Sequence, residues 1–188
     1  GAGVMQIDAA TRRNLELTQA LSGGREGSLL AAIDRTVTAA GARLLERRIS
    51  APSRDLALIH RRQQAVAALV DDSRLAASLR DTLALVPDMD RALSRLGLDR
   101  GGPRDLAAIR GGLAAAERIA AMLAGAEGLL AETAGDLVGH QALTGLLDQA
   151  LVAEPPLLAR DGGFVAAGFD AELDETRALR DEGRGVIA

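Results

Sequence analysis

"PRDLAAIRGGLAAAERIAAML", residues 103–123, carries the most regular pattern in the chain. Leu106, Ile109, Leu113, Ala116, Ala120 and Leu123 recur at steps of three and four, which places them on one face of a helix. Pro103 stands at the first helical position, where a missing N–H leaves no bond unmade. The resulting seam is narrow, a shape suited to packing on another helix. Composition extends that reading to the whole chain. Hydrophobic residues make up 48% of the 188 and aromatics only 1%, so a core must be filled by Leu, Ala, Val and Ile. That mixture favours helices over sheets, and an all-α fold around one core is expected.

On the N-terminal side of this seam the helices are marked by their caps. Met5 and Ile7 alternate with polar neighbours and suggest a short edge strand, after which Asp8 caps Ala9 to Leu17. "SGGREGS" (22–28) is a glycine-rich loop whose Ser28 caps Leu29 to Ile33, and "TVT" is an extended link. Thr38 caps a helix from Ala39 to Ser50 with Leu44, Leu45 and Ile49 expected on its buried face, and Pro52 forbids continuation. From Asp55, the positions Leu56, Ile59, Gln63, Val66 and Val70 form one stripe; Asp71 and Asp72 restart the pattern through Leu75, Leu79, Leu83 and Val86. Asp88 caps a short helix with Met89, Leu93 and Leu96, ended by Gly97 to Gly102.

Toward the C-terminus, a single leucine-rich helix carrying Leu137, Leu143, Leu147 and Leu151 is expected to run to Pro155-Pro156. "LLARDGGFVAAGF" (157–169) places an Asp-Gly-Gly turn between two apolar runs, which predicts a small β-hairpin. Asp170 then caps a last, highly charged helix. With Gly183 and Gly185 in it, and Val186 and Ile187 as its last apolar residues, its final turns are expected to fray. The expected organisation is a helical core domain over 1–169 and the start of a further helix over 170–188.

The residue inventory excludes several chemistries. All 22 basic side chains are arginine, so "GGREGS" lacks the lysine that a phosphate-binding loop requires. His60 and His140 stand eighty positions apart with no cysteine in the chain, which speaks against a metal site. Asp71-Asp72 and Asp88-Met89-Asp90 fall where helices begin, where carboxylates answer free N–H groups. No catalytic, cofactor-binding or metal-binding residue is assigned, and the chain reads as non-catalytic. The absence of cysteine fits a reducing compartment such as the cytoplasm. No apolar run is long enough for a membrane span and no leader is visible; the chain begins without Met and stops inside a helical pattern, as an excised fragment would. The net charge of −4 is uneven: residues 1–62 hold ten arginines against six acids, and 161–188 hold three against seven. That basic excess suggests at most weak, salt-sensitive affinity for DNA.

The order of residues resembles the core domain of the DNA mismatch-repair MutS family. The run "DAATRRNLEL" (8–17) is followed by Asp34, Thr36 and Thr38, Gly41, Arg43 and Leu45, and Pro52. Later matches are "RQQAV" (62–66), "DMDRALSRL" (88–96, with Arg91), "PRDL" (103–106, with Pro103, Arg104 and Asp105) and "DGGFVAAGFDAELDETRAL" (161–179, with Gly162 and Gly163). One departure is Arg48, which stands where bacterial members commonly carry tryptophan.

The resemblance implies a helical core and lever that connects a mismatch-sensing domain, a DNA clamp and a dimerising ATPase, all outside these residues. The sensing Phe-x-Glu is missing, since Phe164 and Phe169 are each followed two residues later by alanine. ATP and Mg, mismatched double-stranded DNA, a second copy and a MutL-like partner are implied for the parent protein, with no membrane. The residues alone also allow a different class, a free-standing helical adaptor or dimerisation module using the 106–123 seam.

Overall fold

A computed structural model describes the backbone of residues 3–187 and the side chains of 3–183. Gly1, Ala2, Ala188 and the Val186 and Ile187 side chains, on which the expectations about the chain ends rest, lie outside the described residues. Among the described residues the chain is mostly helical, with no sheet and with isolated bridges only. It divides into two compact units. The first comprises Gly1–Asp88 and Ala115–Val138, the second Met89–Ala114 and Gly139–Ala188. Each has its own cluster of buried side chains, where length alone suggested one core.

In the first unit, α1 (Ala9–Asn14) is capped by Asp8, whose carboxylate accepts the Thr11 N–H at 2.7 Å. It ends before the expected Leu17 because Glu16 turns to a φ of 49°. The carbonyls of Glu16 and Leu17 then accept the N–H groups of Leu29 and Leu30, both at 2.9 Å. This bonding fixes α2 (Leu29–Ile33) by its Ser28 cap and buries Leu30 to 2% exposure. Next come α3 (Ala39–Ser50), α4 (Leu56–Asp71) and α5 (Ser73–Leu83), begun by Thr38, Asp55 and Asp72 as the sequence indicates. Leu44 departs from the expected buried face of α3 and is exposed, while Leu45 and Ile49 are half-buried. The expected edge strand at Met5 reduces to one bridge between Val4 and Ser53, because Pro52 and Ser53 offer only a single extended step to pair with.

The second unit opens with α6 (Met89–Gly97), and α7 (Pro103–Met122) runs on from it. Ala92, Ile109, Leu147 and Leu151 form this unit's buried cluster, with Met89, Leu106, Leu113 and Phe164 packed on it. In the first unit, Ile119 from the later part of α7 and Leu123 just after its end pack with Leu79. The α7 seam is shifted by one residue over its second half: Ala115 and Ile119 are buried where Ala116 and Ala120 were expected, and these two are half-buried.

Two sequence expectations fail in the C-terminal third. The single leucine-rich helix is two helices, α8 (Gly128–Asp136) and α9 (Gln141–Ala150), because Gly139 adopts a φ of 97°, which no helix contains. The β-hairpin over 157–169 does not form. Residues Ala159–Asp161 make a 3-10 turn, and Gly162 and Gly163, at φ of 67° and 71°, lead the chain away from it. The strand partner lies elsewhere: Val165 bridges to Leu151, and the Val152 and Ala166 N–H groups donate to the Phe164 and Ala150 carbonyls at 3.0 and 2.8 Å. The fold is thus helical without the hairpin. Finally, α10 (Ala171–Ile187) begins at Asp170, whose carboxylate accepts the Leu173 N–H at 2.8 Å.

Candidate functional site

The residues singled out by motif fall into two groups, one in each unit. In the first, Asp34 closes α2 and folds back on the next residues: its Oδ1 accepts the Thr36 N–H at 2.8 Å and the Thr36 hydroxyl at 2.7 Å. Arg25 pairs with its other oxygen. The Thr36 hydroxyl, then the Thr36 N–H, with the Arg25 guanidinium contributing less, hold the Asp34 carboxyl below its ordinary range. Two residues on, the Thr38 hydroxyl accepts the Gly41 N–H at 2.9 Å and starts α3. Gly41 is required by space: a Cβ there would stand 2.8 Å from the Thr38 Oγ1 that caps the helix. Two residues after Gly41, both Nη atoms of Arg43 donate to the two Asp88 oxygens at 3.0 and 2.9 Å. Such a planar fork fixes orientation as well as distance. Leu45 is half-buried, and the Pro52 carbonyl accepts the Met5 N–H at 2.8 Å.

The second group surrounds the start of α7. Pro103 is buried at its first position. The Asp105 Oδ2 accepts the Gly102 N–H at 2.8 Å and the Arg95 Nε at 3.2 Å, while the Arg104 Nε donates to the Pro155 carbonyl at 3.3 Å. A Cβ on Gly102 would lie 2.6 Å from the Leu157 carbonyl oxygen, so the backbones meet only because that side chain is absent. Arg91 lies exposed on α6, and Gly162 and Gly163 make the left-handed turn before Phe164.

Arg110 had no place in the motif reading. From the middle of α7 its guanidinium donates to the carbonyls of Leu151, Val152 and Ala153 at 3.3, 3.2 and 3.0 Å. It thereby anchors the segment that receives Phe164 and Val165. The available signal was an arginine directly after Ile109 in an otherwise apolar stretch.

Asp72 and Asp88 both stand at helix starts. The Asp72 carboxylate accepts the Leu75 N–H at 2.9 Å and caps α5, and the Asp88 carboxylate accepts the Arg43 fork. His60 sits on α4, and His140 precedes α9. Among the described residues no three His, Cys, Asp or Glu side chains group closely enough to hold a metal ion, and no helix is long and apolar enough to cross a membrane.

Capped helix starts, glycines at backbone contacts and arginines bound to carbonyls or carboxylates together hold a helical domain. The pattern of the MutS domain III family matches residues 10–184. The chain is 77% identical over 187 residues to the DNA mismatch repair protein MutS of Paracoccus denitrificans, with 99% of this chain aligned. It is 72% identical to the protein of that name from Cereibacter sphaeroides, over 99% of the chain, and 67% identical to that from Ruegeria pomeroyi, over 98%. It spans 21% of the length of each of these relatives. The chain belongs to the MutS family, as its domain III.

Proposed function

We propose that this chain is the core and lever region of a DNA mismatch-repair ATPase, and that it couples nucleotide state to DNA binding by parts outside these residues. The observation that carries this reading is the family match over 10–184, together with high identity to repair proteins in which the same region is about a fifth of the length. The local structure supports a mechanical role. Caps, glycine contacts and the Arg43–Asp88 fork hold helix starts in fixed directions, as a part that transmits displacement requires. In this reading α10 is the first stretch of a lever leading to a clamp.

ATP and Mg belong to the parent's nucleotide site. The residues present do not suit that site, because a chain without lysine cannot supply the phosphate-loop lysine. The fragment itself is non-catalytic in this reading. Mismatched double-stranded DNA, a second copy of the parent and a MutL-like protein are the parent's partners, and the cytoplasm is its compartment.

Complementation tests the proposal. A full-length gene carrying this segment, supplied to a repair-deficient bacterium, should lower the spontaneous mutation frequency, and Gly102→Ala within the segment should raise it again. If the gene leaves mutation frequency unchanged although the protein accumulates, the reading is wrong.

A further inference from the structure

A groove of about 430 Å³ lies in the first unit between the end of α3, the start of α4 and residues 3–4. Arg47, Arg48 and Arg62 line it together with the apolar Val4, Leu44 and Leu58. Other arginines of this unit are engaged: Arg25 with Asp34, Arg43 with Asp88, Arg61 with Glu132. Among the described residues, no side-chain hydrogen bond or ion pair engages the three in the groove, and the Arg62 Nε is buried without an acceptor. The one acid in the lining is Asp55, whose carboxylate is taken up by the Leu58 N–H at the start of α4. Partial burial, then Arg62 and Arg47, lower the Arg48 pKa, so the cluster stands together against mutual repulsion. The negative end of α3 accounts for Arg47 and Arg48 in its last turn. It does not account for Arg62, in the middle of α4.

We propose that this groove binds an acidic polypeptide segment, whose carboxylates pair with Arg47, Arg48 and Arg62 and whose apolar side chain seats on Leu44 and Leu58. Guanidinium forks match carboxylates geometrically, and an unpaired cationic rim draws an acidic partner. The apolar part of the lining decides between a peptide and a nucleic acid. Backbone phosphates need no apolar seat, and single strands need aromatic platforms for stacking. This groove has the first and lacks the second: both phenylalanines of the chain, Phe164 and Phe169, lie outside it.

The test is fluorescence anisotropy of the chain with a labelled acidic peptide, EELLDELEDLLE, in low salt. Saturable binding is expected, weakened about tenfold or more by combined Arg47→Gln and Arg62→Gln, and severalfold by Leu44→Ser or by replacing the peptide's leucines with alanine. Arg118→Gln, on the exposed part of α7, should leave affinity unchanged. Should a variant lose its helical circular dichroism, amide shifts of the unaltered chain titrated with the peptide decide instead, and they should cluster over 44–62. Absence of saturable binding overturns the proposal, as does equal weakening by Arg118→Gln, indifference to the leucines, or shifts centred elsewhere. Duplex DNA that binds through these arginines while the peptide does not would make the groove a phosphate site and also overturn it.

Discussion

The start of α3 and the Leu151–Val165 pairing are both fixed by hydrogen bonds, but over different distances along the chain. Asp34, Thr36, Thr38 and Gly41 meet partners two or three residues away. Leu151 and Val152 depend on Phe164, Val165 and an arginine some forty positions earlier. The first arrangement forms wherever its few residues occur together. The second exists only once α7, α9 and the following segment have assembled.

If that difference is real, the non-local region should suffer most from loss of packing. Leu151→Ala removes a buried side chain from the Ile109–Leu147 cluster and should lower stability by about 2–5 kcal/mol in a denaturant titration followed by circular dichroism. A loss below about 1 kcal/mol would mean that the bridge stands without the cluster. Gly102→Ala drives a methyl into the Leu157 carbonyl and should cost about 1–3 kcal/mol, since backbone must move to admit it.

Smaller effects belong to the local region. Thr38→Ala deletes the α3 cap and should cost about 1 kcal/mol. Gly41→Ala crowds the same hydroxyl, so the double variant should cost clearly less than the two single losses added together. Additive losses would show that Gly41 serves something other than the cap. The smallest effect is electrostatic. The Asp34 carboxyl has a depressed pKa in the folded chain, so its contribution is present above the unfolded value and lost as pH falls through the folded one. Asp34→Asn should flatten the acid limb of the stability curve and change little near neutrality beyond the loss of the bonded acceptor.

The same division explains what could be read from the sequence. Ser28, Thr38, Asp55, Asp72 and Asp170 begin helices where expected, because capping needs only a side-chain oxygen and an N–H three residues on. Of the motif residues, Asp34, Thr36, Thr38 and Gly41 show their reasons locally. The expected hairpin does not form because Asp-Gly-Gly announces a turn without saying which strand the chain meets afterwards. The break at Gly139 was hidden within a continuous leucine pattern, and the early end of α1 depends on bonds from Leu29 and Leu30. Arg110 and the Arg47–Arg48–Arg62 groove arise from packing between elements, to which residue spacing along one helix is blind.

The proposed coupling role is tested most directly by ATP-driven release of mismatched DNA from the full-length protein carrying Arg43→Ala. Loss of the Arg43–Asp88 fork should leave nucleotide hydrolysis and nucleotide-free mismatch affinity close to the unaltered protein while slowing ATP-driven release. Release at the unaltered rate, or loss of hydrolysis and affinity in step with release, would contradict a scaffold that transmits nucleotide state to DNA.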